Sequence, residues 1–545
     1  MANRIKFLII SFSLIYGVIL FRLYDLQIQK NAYYLARANF QYENSVFLKA
    51  LRGNIYFQDK NNNLILAATN KNFPLIYAVP KEISDAKETF ATLNSIISNL
   101  PTNLEQRLEN KKSDYVLIFK KAPDDLVSKI KNLNLKGIYV TSVPERFYPF
   151  SNLASHILGY VGESDDDSTE IGKYGIERFY NDDLNGINGK INGSEIVEPI
   201  NGQDVILTID PNIQREAERI LSSLVINQKA KSGLVIVQDP KTGKILSMAG
   251  IPNFDPNNYS KYDISNFLNP VISKIYEPGS VFKVITMAIG LDTNKITPET
   301  TFVDTGSLTL NGKTIKNWDL KAHGKITMTE VIEGSINTGA AFAQRQIGRT
   351  LFLDYLKKFG FNQKTKIDLP AEISGSLKSL EDKNAPDVNF ATASFGQGVA
   401  VTPIELITAI SAIANNGKMM RPYLNAKNSP QEIGKIISEE ASKKVIKMMV
   451  SAVDKAGVAK INGYSVAGKT GTAQVPDFKN GGYKKSYIHT YVGFAPADDA
   501  KFVILIRIDE PEGAQLAGLT VVPAFRELAQ FILNYYNIPP DRIEK

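Results

Sequence analysis

A helix that is apolar on every side has nowhere to lie but inside a core. One stretch of this chain reads as such a helix. Glu277-Pro278-Gly279-Ser280-Val281-Phe282-Lys283 leads into the apolar run Val284 to Leu291. Pro is well tolerated in a first helical turn, so the helix is expected to open at Pro278-Gly279. Ser280 and Lys283 are then i and i+3 and share a face, roughly 5–6 Å apart at Cβ. A Ser hydroxyl is a poor nucleophile until a base takes its proton, and a Lys amine can be that base when burial lowers its pKa. First-turn N–H groups also lack helical partners and can face a developing oxyanion.

The spacing alone is weak, because Ser-x-x-Lys occurs three times, at Ser84/Lys87, Ser128/Lys131 and Ser280/Lys283. The first two lie in polar, Lys-rich surroundings that read as solvated helix faces. The third gains weight only from a site assembled further along the chain.

At 545 residues the chain is too long for one core and implies two or three domains. Apolar content of 43% and charged content of 22% suit a folded protein. The net charge of +7 comes from 63 basic and 56 acidic residues. So small an excess points weakly to an anionic membrane or wall surface and not to nucleic acid. With no cysteine, disulfides, thiolate catalysis and Cys-based zinc sites are excluded. His156, His323 and His489 lack ligand spacing and read as hydrogen-bonded structural residues. No metal or other cofactor is implied.

Phe7 to Phe21 is an apolar or neutral run behind Arg4 and Lys6. Fifteen helical residues span about 22 Å, short of a hydrocarbon core of roughly 30 Å. Continuation through Leu23, Tyr24, Leu26 and Ile28, with Lys6 and Arg22 snorkelling, closes the gap. Residues 1–30 are therefore expected to be a cytoplasmic N-terminus and an uncleaved signal-anchor. A cleaved signal peptide is the rival, with Ala36-Arg37-Ala38 as a loose cleavage site.

Residues 31–202 are expected to form a spacer or docking platform. Strand-like runs at Leu75 to Val79 and Tyr115 to Phe119 alternate with polar helices near 82–99 and 123–133. The Asp/Asn/Gly-rich stretches 164–172 and 181–203 read as loops. From 203 to 545 the pattern becomes that of an α+β domain, an antiparallel sheet closed by its own termini and flanked by helices. A short strand at Val205 to Asp210 precedes a helix at Gln214 to Leu224. Two apolar runs around Asp239-Pro240-Lys241-Thr242-Gly243 predict a hairpin. Strands at Thr490 to Phe494 and Phe502 to Arg507 precede a terminal helix, Val521 to Tyr536.

Two further pieces carry chemistry. Gly334-Ser335-Ile336-Asn337-Thr338-Gly339 lies between helical runs. It reads either as a tight turn or as a hydroxyl that relays a proton beside an amide that orients substrate. Lys469-Thr470-Gly471-Thr472 follows, although Lys241-Thr242-Gly243 repeats the tripeptide within the hairpin turn. Ser335 stands 55 residues after Ser280, and Lys469 stands 134 after Ser335. The ordered set Ser-x-x-Lys, Ser-x-Asn, Lys-Thr-Gly is that of penicillin-recognising serine enzymes.

The chain resembles the class B penicillin-binding proteins, septal division-type D,D-transpeptidases in particular, over nearly its whole length. Leu51-Arg52-Gly53-Asn54-Ile55 is similar to the start of the family's pedestal domain, with Phe57 where an Asp is usual. Arg146-Phe147-Tyr148-Pro149, Ala154-Ser155-His156-Ile157-Leu158-Gly159, Gly175-Ile176-Glu177, Leu207 to Asp210 and Ser394-Phe395-Gly396-Gln397-Gly398 are further similar elements.

The resemblance implies Ser280 as acylated nucleophile, neutral Lys283 as its base and Ser335 as relay. It implies Asn337 as a clamp on the donor backbone and Lys469 as a positive charge that disfavours protonation of Lys283. Thr470, Gly471 and Thr472 would bind the donor carboxylate, and the N–H groups of Ser280 and Thr472 would form the oxyanion hole. The implied ligands are stem peptides ending in D-Ala-D-Ala, and β-lactams that mimic them. Implied partners are a polytopic SEDS-type glycosyltransferase and other division proteins at the bacterial inner membrane, the C-terminal domains lying on its outer side.

Four alternatives stand beside this: an inactive division scaffold, a D,D-carboxypeptidase, a β-lactamase or β-lactam sensor, and a P-loop NTPase. The last rests on Gly463 to Thr470, which satisfies G-x-x-x-x-G-K-[ST]. A P-loop needs a helix straight after Lys-Thr, and Gly471 and Pro476 stand where it would begin.

Overall fold

The computed structural model describes residues 47–98, 100–164, 170–192, 195–477 and 481–542, with Tyr16 and Tyr24. The run Phe7 to Phe21 lies, Tyr16 apart, outside the described residues. Among the described residues no helix is long and apolar enough to cross a membrane.

The chain divides into two compact units. The first comprises residues 1–54, 69–147 and 182–203. Here residues Thr69 to Ala78 pair antiparallel with Ile138–Phe147, and Val116–Phe119 adds to the other edge. The strand reaching Ala78 begins at Leu64 and runs fifteen residues, much longer than the apolar run 75–79 suggests. Its register with Ile138–Phe147 supplies hydrogen bonds that polar residues such as Asn70 to Asn72 do not advertise. Helices Ala86–Ile96, Leu104–Glu109 and Asp124–Leu133 bury Leu93, Leu104, Leu108 and Ile130 against this sheet. The middle helix has no counterpart in the sequence reading. Part of the stretch 181–203, expected to be loop, forms strands Gly189–Asn192 and Glu195–Val197 on Phe47–Leu48. Arg146 donates to the Gly53 carbonyl at 2.8 Å and Arg52 to Asn185, so the Arg-Gly landmark ties the unit together.

The second unit comprises residues 55–68, 148–181 and 204–545. It opens with a hydrogen-bonded cluster in which Tyr148 donates to the buried Glu177 carboxylate at 3.1 Å. Glu170–Gly172 is a strand within the expected loop 164–172. Helix α1 (Pro211–Asn227) starts three residues before the apolar pattern does. Asp210 caps it by accepting from the N–H groups of Asn212 and Ile213, and Pro211 occupies the first position. Strands β1 (Ser232–Gln238) and β2 (Ile245–Ile251) form the hairpin. Helix α2 (Phe282–Asp292) follows a 3₁₀ turn at Gly279–Val281, and every residue from Phe282 to Leu291 is buried.

Helices α3 (Met328–Gly334) and α4 (Asn337–Ile347) meet at Ser335-Ile336. Helices α5 (Pro403–Ala414) and α6 (Glu439–Ala456) complete the helical layer. The chain returns through β3 (Ala467–Pro476), β4 (Tyr483–Ala495), β5 (Phe502–Asp509) and α7 (Val521–Tyr535).

The five strands form one antiparallel sheet in the order β2-β1-β5-β4-β3. Its central strand comes from the last segment of the chain, which makes the unit one folding body. Helices α1 and α7 cover one face, packing Ile213, Ile220, Phe525, Leu528 and Ile532 on Val235, Val237, Ile504 and Ile506. Fully burying each such side chain contributes about 1.5–3 kcal/mol. Strand β3 lies at the sheet edge, paired on one side to β4 and on the other to no strand among the described residues. Its stretch Gly471 to Ala473 lies against Pro278-Gly279, the turn that carries Ser280.

Candidate active site

Ser280 sits in the 3₁₀ turn and Lys283 one turn later, at the start of α2. The apolar surroundings that make α2 a core helix carry Lys283 inside with it, fully buried. Its Nζ donates to the Ser335 carbonyl at 2.5 Å and to Ser335 Oγ at 3.1 Å. Lys469 Nζ, from β3, donates to the same Oγ at 3.0 Å and to Thr470 O and Oγ1 at 3.3 Å. One hydroxyl thus joins three segments that are remote in sequence.

Ser335 reaches this position through backbone strain. It ends α3 with φ 54°, a left-handed conformation that costs a residue with a Cβ about 1 kcal/mol or more. The turn aims both its carbonyl and its hydroxyl at Lys283.

Two amines on one oxygen cannot both remain charged cheaply. Unit charges about 6 Å apart repel by about 3 kcal/mol at an effective dielectric of about 20. Burial first, and the charge of Lys469 second, hold the Lys283 amine well below the usual lysine range. Burial lowers Lys469 to about 8. Of the two, Lys283 is therefore the more readily deprotonated, and Lys469 holds its proton to higher pH.

Glycines let β3 and the Ser280 turn touch. A Cβ on Gly471 would stand 2.7 Å from the Pro278 carbonyl oxygen, so only glycine permits this backbone contact. Gly279, with φ +59°, lies against Ala473 and donates its N–H to the Gly396 carbonyl at 3.2 Å. Thr470 and Thr472 are half-buried along the same strand, and Thr472 Oγ1 accepts from the Ala517 N–H at 3.4 Å. Ser280 Oγ makes no hydrogen bond among the described residues, which leaves it open to a ligand. Catalytic hydrogen bonds are often incomplete without substrate.

Asn337 opens α4, and its Nδ2 donates to the Lys316 carbonyl at 2.9 Å. A hydrogen-bond network absent from the sequence reading holds this corner. Asp304 accepts from Thr338 Oγ1 at 2.6 Å and from Asn317 Nδ2 at 2.8 Å, while the indole of Trp318 donates to the Gly334 carbonyl at 3.0 Å. The Asp304-Thr305-Gly306 sequence looks like any turn, so nothing local marked it.

The competing copies of the motifs fall elsewhere. Ser84, Lys87, Ser128 and Lys131 are exposed, and Ser128 Oγ bonds back to the Asp124 carbonyl. Lys241-Thr242-Gly243 closes the β1–β2 turn, with Thr242 Oγ1 donating to Asp239. After Lys469-Thr470 the chain continues as strand to Pro476, so the helix a P-loop requires is missing. His489 is buried and bonded to Thr520 Oγ1 and the Gln515 carbonyl.

Comparison with known proteins places this arrangement. Residues 233–530 match the penicillin binding protein transpeptidase domain, and residues 47–197 match the penicillin-binding protein dimerisation domain. Stage V sporulation protein D of Bacillus subtilis is 32% identical, over 98% of this chain and 87% of that protein. Peptidoglycan D,D-transpeptidase FtsI of Buchnera aphidicola is 30% identical, over 99% of this chain and 96% of that protein. The crystal structure of a peptidoglycan synthetase from Bifidobacterium adolescentis superposes with a TM-score of 0.70 at 26% identity, covering 92% of this chain and 98% of that one. Both domain models match in the expected order and the relatives align nearly end to end, so this chain belongs to the class B penicillin-binding proteins.

Proposed function

We propose that this protein is a peptidoglycan D,D-transpeptidase acting through a serine acyl-enzyme. The observation that carries the reading is the shared Ser335 hydroxyl. It couples a buried, neutral-leaning Lys283 to a charged Lys469 beside the turn that bears Ser280. Lys283 takes the Ser280 proton as Oγ attacks the D-Ala-D-Ala carbonyl. Ser335 relays that proton to the departing D-Ala nitrogen.

The donor peptide lies along the open edge of β3, with its terminal carboxylate held by Thr470, Thr472 and the Lys469 charge. Asn337 orients the donor backbone through its amide. The N–H groups of Ser280 and Thr472 receive the oxyanion, and losing one such donor costs on the order of 3 kcal/mol of transition-state stabilisation. An amine of a second stem peptide then takes the acyl group and closes the cross-link. β-Lactams occupy the donor position.

In this reading residues 31–202 form the pedestal and 203–545 the transpeptidase domain. The run Phe7 to Phe21 is the single anchor in the cytoplasmic membrane, with the later residues on the outer side where stem peptides are. Asn337 and the FtsI relatives favour a septal role, and the anchor with the pedestal is the contact surface for a SEDS-type glycosyltransferase.

Fluorescent penicillin tests the core of the reading. The full chain is labelled, Ser280→Ala is not, and Ser84→Ala and Ser128→Ala are labelled like the wild type. An unlabelled wild type favours an inactive scaffold, and a labelled Ser280→Ala removes Ser280 from the chemistry.

A further inference from the structure

Three residues before Ser280, the Glu277 carboxylate is held in a setting that lacks a counter-charge. It accepts from the Gly398 N–H at 2.9 Å and from Tyr483 OH at 3.0 and 3.3 Å. Both donors are neutral, and among the described residues no lysine or arginine pairs with it. Glu277 is partly exposed, and burial raises its pKa. A desolvated carboxylate with neutral partners is costly unless a cation arrives.

Its place is fixed by contacts already described. Pro278 touches Gly471, Gly279 touches Ala473, and Pro476 pairs with Tyr483. Glu277 therefore stands beside the downstream end of β3, where that strand pairs with Tyr483. Three residues span at most about 11 Å between Cα atoms, which keeps Glu277 in the neighbourhood of Ser280.

We propose that Glu277 receives the ammonium group of the acceptor stem peptide and deprotonates it for attack on the acyl-enzyme. This rests on Ser280 being the acylated residue. Glu277 takes one proton from the acceptor ammonium and later releases it to solvent. The neutral nitrogen attacks the ester carbonyl, a C–N bond forms and the C–Oγ bond breaks. The second nitrogen proton passes to Ser280 Oγ through Lys283 and Ser335, restoring the free enzyme. Tyr483 is a positioning residue that holds the carboxylate toward the ester.

The test separates the two half-reactions on the full-length protein. A thioester ending in D-Ala-thioglycolate serves as donor and D-alanine as amine acceptor, with hydrolysis and aminolysis products measured together. Glu277→Gln keeps fluorescent-penicillin labelling within about twofold, and its aminolysis-to-hydrolysis ratio falls at least tenfold. Glu277→Asp restores part of that ratio, and Tyr483→Phe lowers it severalfold. An unchanged ratio in Glu277→Gln overturns the proposal. So does loss of labelling in parallel with aminolysis, which assigns Glu277 to the architecture of the turn. Labelling of Ser280→Ala would instead sink the acyl-enzyme reading itself.

Discussion

Lys-Thr-Gly occurs twice in this protein, and the two copies could hardly differ more. At 241–243 the tripeptide closes a hairpin: Thr242 bonds to Asp239, Gly243 takes φ +86°, and the Lys241 side chain reaches out to Asp499. At 469–471 it is strand: the lysine is buried, Thr470 lies along an open sheet edge, and Gly471 admits the backbone of the Ser280 turn. The chemistry thus resides in desolvation and in what the fold brings opposite, since the three letters are the same.

Substitutions can break or sharpen that contrast. The largest effect is expected from Lys283→Ala, with second-order acylation by penicillin falling by about 10³, in the range for a lost general base. Lys469→Ala is expected to cost about 10²-fold through lost carboxylate attraction, whereas Lys241→Ala leaves acylation unchanged; equal losses at the two lysines would void the contrast. The glycines divide differently. A Cβ at Gly471 meets the Pro278 oxygen, and one at Gly243 meets the Arg421 oxygen at 2.2 Å. Each Gly→Ala change is expected to cost about 1–3 kcal/mol in denaturant unfolding. Only Gly471→Ala also slows acylation, by about tenfold for a strand displaced by a few tenths of an ångström.

Acidity offers a subtler probe. Lys283 must be neutral to act as base, so acylation rises as pH climbs through its depressed pKa. Lys469 must be charged, so acylation falls as pH passes about 8. The expected profile is a bell whose alkaline limb lies near 8 and disappears in Lys469→Arg, whose guanidinium keeps its charge. The smallest effect concerns Asp304. Asp304→Asn keeps the fold, lowers acylation a fewfold by loosening Thr338 and Asn337, and leaves the alkaline limb where it was. A shifted limb would show that Asp304 acts on Lys469 electrostatically.

Much of the helical and strand pattern was legible from local sequence. The apolar run behind Ser280 could only be a buried helix, and the turn residues at 239–243 placed the hairpin. Legibility failed where tertiary partners supplied the stabilisation. The strand through Asn70-Lys71-Asn72 is held by register with Ile138–Phe147, and Gly189–Asn192 and Glu195–Val197 became strands for the same reason. At the site, Ser280, Lys283, Ser335, Asn337 and Lys469 were marked by motif, whereas Asp304, Asn317, Trp318, Glu277 and Tyr483 were not. Those five act through contacts with residues distant in sequence, so no spacing rule reveals them.

By itself the sequence determined the identities and order of the reactive groups, and the elements that carry them, because periodicity and turn chemistry are local. The tertiary structure alone decided which Ser-x-x-Lys and which Lys-Thr-Gly lose their water, that Ser335 adopts a left-handed turn between two amines, and that among the described residues no lysine or arginine pairs with Glu277. A lysine's proton affinity depends on solvent and neighbouring charge, and both are set by segments of the chain more than fifty residues away.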